Sequence, residues 1–334
     1  MKNPERLHSH PCFEHFDALG LHQLAECSTL HASIAEERLF EEGDCSADFF
    51  LLEEGKVRQS RVTAFGDFTL SEQTTGEVFG ASSFVDDSPR DSCAVALVPS
   101  SMVAFKADAL RTACEKDKKF ELSLYWALWK ILSRQLREAN SRLGIFFSVD
   151  THLSDAMTPA AAPLGSPGAF DLSTKVGLFR EQRLSPMEIN FLASLSQEER
   201  FEPDQPIFRE GERGTKMYVV AEGRVMISKI IAGVGEEALA FLERGDYFGE
   251  MALIDKQPRS ADARAHPQTG ALVLALPRDV VEGILEIGKV SSIRLLRLLC
   301  GLAAKRVHEL NEKLVGWFLL AGGDLEVSTG TASK

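Results

Sequence analysis

The chain repeats itself at a nearly constant interval, and this feature constrains its fold more than any other. A block around residue 80 recurs around residue 249, with matched segments before and after it. The matches are Phe79-Gly80 with Phe248-Gly249 and Pro89-Arg90 with Pro258-Arg259, Phe40–Gly43 with Phe208–Gly211, Glu54–Val57 with Glu222–Val225, and Glu138–Leu143 with Glu309–Leu314. An offset that stays constant across about a hundred residues indicates the duplication of one fold.

Both copies show the same order of local patterns. A helical lead-in, around Phe16–Glu26 and again around Pro186–Leu195, precedes short β-type runs with glycine at the turns. Those runs include Asp48–Leu52, Met217–Val220 and Ala271–Leu276. A long helical pattern ends each copy. Many short strands followed by helices predict a small β jelly roll flanked by helices.

The second copy contains a dense motif, FGEMALIDKQPRSA, over residues 248–261. Gly249 permits close backbone approach, and the short apolar turn after it directs free N–H groups toward an anion. Arg259 is able to donate two charge-assisted hydrogen bonds to phosphate oxygens, and Glu250 is an acceptor suited to a ribose hydroxyl. The alternative interpretation is an ordinary surface turn with a glutamate and an arginine.

This motif resembles the phosphate-binding cassette of the cyclic nucleotide-binding domain family, found in the catabolite activator protein and in cAMP-dependent kinase regulatory subunits. The resemblance implies an α+β fold of two tandem β jelly-roll cyclic nucleotide-binding domains, each closed by a long helix. It implies backbone contacts to the ligand from Gly249, Met251 and Ala252, ribose binding by Glu250 and phosphate binding by Arg259. Ser260 and Ala261 would form the rim. A hydroxyl at Ser260 would serve phosphate or a guanine held syn, so cAMP and cGMP both remain open as ligands, and family frequency favours cAMP. No other cofactor is implied.

The first copy, FGASSFVDDSPRDSC, departs from the pattern. It keeps Gly80 and Arg90, but Ala81 stands where the ribose acceptor is expected, and Asp91 would place a carboxylate beside the phosphate, where like charges repel. Arg90 is expected to pair with an acidic neighbour, Asp86, Asp87 or Asp91. We therefore predict a degenerate, non-binding copy. The alternative is that it binds another anion; the residues available for this are Gly80, Arg90, Ser82, Ser83 and Ser88.

The two closing helices carry apolar residues at spacings of three and four. The first set is Leu122, Tyr125, Trp129, Leu132, Leu136, Ala139, Leu143 and Phe146, and the second is Ile293, Leu296, Cys300, Ala303, Val307, Leu310, Leu314 and Trp317. This pattern favours pairing of the helices, within one chain or in a homodimer, over packing of each helix on its own roll.

The repeat boundaries predict a first domain over residues 1–147 and a second over 174–321. Between them, residues 148–173 contain three prolines with many Ala and Gly and predict a flexible linker, and residues 322–334 predict a disordered tail.

Composition narrows the function classes. The net charge of −12 argues against a nucleic-acid partner, and no apolar run is long enough to span a membrane, so we expect a cytoplasmic protein. The six scattered cysteines predict reduced thiols and no metal site. His8 and His10 are interpreted as part of a solvated N-terminal tail, with metal binding as the less favoured alternative.

Three functions compete. The first is a non-enzymatic sensor that relays nucleotide binding through a hinge at Pro277–Gly288 and the closing helix Val290–Leu320 to an unidentified protein partner. The second is a transcription factor, but few residues follow Leu320 to form a helix-turn-helix. The third is a scaffold with two non-functional pockets. No catalytic motif indicates an enzyme.

Overall fold

The computed structural model describes residues 7–146, 171–180, 186–231, 235–285 and 292–322. It divides into two compact units, one made of Met1–Ala139 with Cys300–Lys334 and the other of Asn140–Leu299. Most of the predicted linker and nearly all of the predicted tail lie outside the described residues; a helix that the sequence did not predict begins at Leu172.

The described residues of the Met1–Ala139 part of the first unit contain eight strands, a short 3-10 helix at Pro11–Phe13 and four α-helices. The strands are β1 (Ser28–Ser33), β2 (Arg38–Phe40), β3 (Phe49–Glu54), β4 (Val57–Thr63), β5 (Gly66–Gln73), β6 (Val78–Phe79), β7 (Cys93–Ala96) and β8 (Ser100–Phe105). The helices are α1 (Ala18–Glu26), α2 (Ser82–Asp86), α3 (Ala107–Lys116) and α4 (Lys118–Phe146), the last of which passes into the second unit after Ala139.

These strands form two antiparallel sheets, in the orders β1-β8-β3-β6 and β2-β7-β4-β5. Buried residues from both sheets meet in one apolar cluster, to which Phe40 and Ala94 contribute from one sheet and Phe50, Phe79 and Met102 from the other. The two sheets therefore pack face to face as a β roll.

The second unit repeats this architecture. Its strands are β9 (Gln197–Phe201), β10 (Pro206–Phe208), β11 (Lys216–Gly223), β12 (Val225–Ile231), β13 (Gly235–Leu242), β14 (Tyr247–Phe248), β15 (Asp262–Ala265) and β16 (Ala271–Pro277). Its helices are α5 (Leu172–Arg180), α6 (Pro186–Leu195), α7 (Glu250–Ile254), α8 (Arg278–Leu285) and the first residues of α9 (Ile293–Leu320).

The sheet orders β9-β16-β11-β14 and β10-β15-β12-β13 match those of the first unit strand for strand. The predicted α+β fold of two tandem jelly rolls is confirmed. The repeated glycine of the Glu-Gly turns has a steric reason, because Gly223 adopts φ +74° and a Cβ there would lie 2.3 Å from the carbonyl oxygen of Gly270.

The closing helices meet inside the first unit. Residues 300–320 of α9 belong to this unit together with residues 118–139 of α4, and the Cys300 thiol contacts the Tyr125 carbonyl oxygen at 3.4 Å. Leu136 and Val307 of the predicted apolar seam are both buried. α9 thus does not pack on its own roll alone, and the contact lies within one chain. The side chains of Leu143 and Phe146 lie outside the described residues.

The predicted solvated N-terminal tail is wrong for His10 and its apolar neighbours, whereas His8 is exposed as predicted. Leu7, Phe13 and Phe16 are buried, and the His10 imidazole is hydrogen-bonded to the Gly76 carbonyl oxygen at 2.7 Å. The segment packs because its aromatic residues have apolar partners, such as Phe105 against Phe13. None of the helices in the described ranges has the length and apolar character needed to cross a membrane.

Candidate functional site

The second cassette, residues 248–261, links β14 to β15 around the short helix α7. Gly249 caps α7 with φ +74°, and a Cβ at this position would lie 2.6 Å from Nη1 of Arg259. Only glycine therefore allows the backbone to approach the guanidinium this closely.

Arg259 lies folded against the backbone beneath the cassette. Its Nη1 donates to the Gly249 carbonyl oxygen at 2.5 Å, its Nη2 donates to the Lys216 carbonyl oxygen at 2.7 Å, and its Cζ lies 4.0 Å from the centroid of the Phe208 ring. The side chain is 6% exposed, and its Nε has no hydrogen-bond partner among the described residues. Burial lowers the pKa of Arg259, while the charges of Tyr218 and Glu250 oppose this effect.

The other predicted residues gather around this arginine. Glu250 is fully buried as the first residue of α7, and Met251, Ala252 and Ala261 are also buried. Ser260 is half-buried, and its hydroxyl oxygen accepts from Asn140 Nδ2 at 3.3 Å. The structure thus places the contiguous motif in one small region with one buried cation, Arg259, and one buried carboxylate, Glu250.

Sequence reasoning missed Gly214. A Cβ at Gly214 would lie 2.6 Å from the Cβ of Ala252 and 3.1 Å from Cζ of Arg259, so this glycine makes room for the cassette. The signal in the sequence is weak: the corresponding residue of the first copy is Ser46, so the repeat comparison does not mark a glycine here.

Sequence reasoning also missed Arg278, the first residue of α8. Its guanidinium donates to three carbonyl oxygens, those of Gly214 at 2.6 Å, Ala252 at 3.1 Å and Leu253. Two of these carbonyls belong to α7, so Arg278 ties the cassette directly to α8, at the start of the predicted hinge.

The first cassette, residues 79–92, holds Arg90 in an equivalent frame. Nη1 donates to the Gly80 carbonyl oxygen at 2.6 Å, Nη2 donates to the Asp48 carbonyl oxygen, and Cζ lies 4.3 Å from the Phe40 ring centroid. Nη2 also reaches the Ser46 hydroxyl at 3.4 Å. Burial lowers the pKa of Arg90 to about 10.

The acidic residues of the first cassette do not form the predicted hydrogen-bonded pair with Arg90. Asp91 instead accepts from the ring of His308 and from Asn311 Nδ2, both at 2.8 Å, and Asp87 pairs with Arg111. The prediction was wrong because backbone carbonyls inside the roll already hold the guanidinium. Ala81 is fully buried where the second cassette has Glu250.

The His308 cluster has shifted pKa values. Burial acts to lower the pKa of His308, but hydrogen bonds to Asp86 and Asp91 outweigh it and raise the pKa to about 10. Burial likewise acts to raise the pKa of Asp91, but the hydrogen bonds and charge of His308, with Asn311 and Ser92, bring it down to about 2.

Several known proteins are similar to this chain. The Cyclic AMP receptor protein of Thermus thermophilus is 38% identical over 91 residues, which cover 27% of this chain and 42% of that protein. The cGMP-dependent protein kinase of Toxoplasma gondii is 32% identical over 104 residues, covering 31% of this chain and 10% of the kinase. The matched segments therefore span less than half of these relatives' length.

Among solved structures, the regulatory domain of Toxoplasma gondii PKA with cAMP is similar at 19% identity and a TM-score of 0.32, covering 87% of this chain and 92% of that one. The family described as the Cyclic nucleotide-binding domain matches residues 34–117 and 198–287, more than half of the chain. The two segments that the family matches lie on the two rolls, one on each, and contain Arg90 and Arg259 respectively. This chain therefore belongs to the cyclic nucleotide-binding domain family and contains the domain twice, as the internal repeat predicted.

Proposed function

We propose that this protein is a non-catalytic sensor that binds one cyclic purine nucleotide per chain, in the second cassette. The observation that carries the proposal is a buried Arg259, whose Nε has no hydrogen-bond partner among the described residues, in the same cassette as a buried Glu250 at the start of α7. A buried cation with unused donor capacity is suited to an anionic ligand. The first cassette has Ala81 in place of this carboxylate.

Each ligand group has a suitable partner in the proposal. Arg259 binds the cyclic phosphate, and the backbone at Gly249, Met251 and Ala252 surrounds it. Glu250 accepts from the ribose hydroxyl, while Ser260 and Ala261 border the base. The relatives named for cyclic AMP and for cGMP support this ligand class, and cAMP is our first candidate.

The response to nucleotide is proposed to be a population shift that passes through Arg278. Phosphate binding moves α7, and Arg278 bonds the carbonyl oxygens of Ala252 and Leu253 to the first turn of α8. A ligand shifts this equilibrium only by its differential affinity for the two arrangements. The closing helix α9 follows α8 in the chain and would present the change to a protein partner.

Calorimetry with cAMP and with cGMP on the full chain tests the proposal. We expect a stoichiometry of one, and Arg259→Ala should weaken binding by roughly 2–5 kcal/mol, because the phosphate loses a charge-assisted partner in a partly desolvated site. Arg224→Ala removes an arginine paired with Glu243 on the surface and is the matched control. Absence of binding for both nucleotides, or an unchanged affinity in Arg259→Ala, would contradict the proposal.

A scaffold function is the second candidate, and the first cassette favours it. Arg90 makes the same backbone hydrogen bonds beside Ala81, so a cassette arginine has a structural role that is independent of a ribose acceptor. Glu250→Gln distinguishes the two functions, because it keeps the shape of the side chain and removes the charge. It should weaken nucleotide binding in a sensor, whereas in a scaffold no binding is present to be weakened.

A further inference from the structure

The last turns of α9 contact the first cassette at several polar points. One ring nitrogen of His308 lies 2.8 Å from Asp91 Oδ2, and the other lies 3.1 Å from Asp86 Oδ2 and 3.2 Å from the Ser88 hydroxyl. Asn311 donates from Nδ2 to the same Asp91 oxygen at 2.8 Å. All of these residues belong to the first unit.

The geometry at His308 favours a charged ring. A neutral imidazole has one N–H and can donate to one carboxylate, whereas here both ring nitrogens face carboxylate oxygens. With a proton on both nitrogens, one cation of α9 satisfies two acidic groups of the cassette. His308 and Asp91 are mostly buried, with 18% and 19% of their side chains exposed, so solvent screens the interaction only partly.

The contact continues past the cassette along α9. Glu312 pairs with Arg61 of β4, and the ring of Phe318 lies 4.7 Å from that of Phe68 in β5. Phe68 and Phe318 are both buried. Polar and apolar contacts thus bind the same face of α9 to the first roll over about three helical turns.

The repeat shows which of these contacts are specific to the first cassette. Asn140 and Ser260 occupy the positions that correspond to Asn311 and Asp91, and in the second unit they form a neutral hydrogen bond of 3.3 Å. The position that corresponds to His308 is Arg137. The asparagine contact is therefore common to both copies. In the first cassette, Asp91 accepts from both His308 and Asn311 of α9.

We propose that the first cassette is a docking site for the carboxyl-terminal half of α9, with its acidic rim of Asp86 and Asp91 selecting His308 and Asn311 of this helix instead of an anionic ligand. The substitutions that remove a nucleotide site thus serve a second purpose, since Asp91 provides the acceptor for His308 and Asn311. This docking does not require a nucleotide in the second cassette.

Hydrogen exchange of the full chain without nucleotide tests the docking. In His308→Gln and in Asp91→Ser, we expect amide exchange across residues 300–320 and 82–92 to accelerate about tenfold, equal to about 1.4 kcal/mol. Lys305→Gln, on the same helix with its side chain 71% exposed, is the control and should stay within about twofold of the unmodified protein.

Two further variants guard against general misfolding. His308→Arg keeps a cation with donors in several directions and should retain slow exchange. His308→Gln combined with Asp91→Ser should exchange little faster than either single variant, because both substitutions remove the same interaction. Exchange across residues 197–231 of the second unit should stay unchanged in all of them. Unaltered exchange at 300–320 in both single variants, or full additivity in the double variant, would overturn the docking.

Discussion

Arg90 and Arg259 lie in the same frame, yet the residues that follow them have different partners. Each arginine bonds the carbonyl of its cassette glycine and lies over a phenylalanine ring. After Arg259 comes a neutral Ser260 with one weak contact, whereas after Arg90 comes Asp91 with three donors directed at it. The frame is thus a property of the fold, and the specificity of each cassette depends on one or two residues around it.

The largest expected effect concerns the closing helices that both copies share. Leu136→Asp should destabilise the first unit by roughly 3–5 kcal/mol, and Val307→Asp should act similarly, because each places an unpaired charge among buried apolar residues. Leu319→Asp, at a position 40% exposed, is the control. The measurement is urea unfolding, combined with light scattering.

Light scattering also separates pairing within a chain from pairing between chains. A monomer in the unmodified protein is expected for the contact seen here within one chain. If the protein is a dimer that Leu136→Asp combined with Val307→Asp dissociates, the same seam pairs two chains. Unchanged stability in both variants would show that the seam contributes little.

Substitution of the two cassette arginines should distinguish a structural role from a role in ligand binding. Arg90→Ala and Arg259→Ala should each lower stability by roughly 2–5 kcal/mol, because buried backbone carbonyls lose charged donors. Only Arg259→Ala should also weaken nucleotide binding. Calorimetry on Arg90→Ala decides the comparison, and weakened nucleotide affinity there would show that the first cassette takes part in binding.

Giving the first cassette the two residues of the second should make the two cassettes alike in nucleotide binding. Ala81→Glu with Asp91→Ser gives the first cassette the acceptor and the neutral rim of the second, so a second nucleotide site should appear, weaker than the original by roughly 1–3 kcal/mol because Ser46 and Asp48 remain. Stoichiometry from calorimetry measures it. Two equal sites already present in the unmodified protein would contradict the assignment of the first cassette as degenerate.

The smallest effect is a pH dependence confined to the first cassette. The pKa of His308 is raised from 6.5 to about 10, so its stabilising contribution is complete below pH 6.5 and is lost as the pH rises toward 10. The pKa of Asp91 is lowered from 3.8 to about 2, so its contribution is present above pH 3.8 and is lost as the pH falls toward 2. The cluster is therefore most stabilising between pH 3.8 and pH 6.5, where both contributions are complete.

Urea unfolding at pH 6 and pH 9 tests this dependence. The unmodified protein should lose stability between these values through His308, with Asp86 and Asp91 as the charges that face it. His308→Arg should lose less over the same interval, because arginine stays charged at pH 9. Equal losses in both proteins would show that His308 does not carry the dependence.

Much of the fold could be predicted because it depends on local signals. The β-type run Ala271–Leu276 became β16, and the helical lead-ins became α1 and α6. The helix α5 was not predicted, because it follows a stretch rich in Pro, Ala and Gly that lacks helical periodicity. The placement of the second cassette motif was also predictable, since residues 248–261 are contiguous and come together through a single turn.

The sequence by itself determined the duplication, the two rolls and the position of each cassette arginine, because repeats, alternation and glycine turns are local patterns that each copy carries in full. Only the tertiary structure decided what Asp91, Gly214 and Arg278 contact. Apart from Ser92 next to Asp91, their hydrogen-bond partners lie between 25 and 220 residues away along the chain, and no periodicity links residues at such distances. The tertiary structure also decided that residues 300–320 of α9 pack in the first unit. An apolar stripe predicts that a helix is covered, and packing in three dimensions decides by which surface.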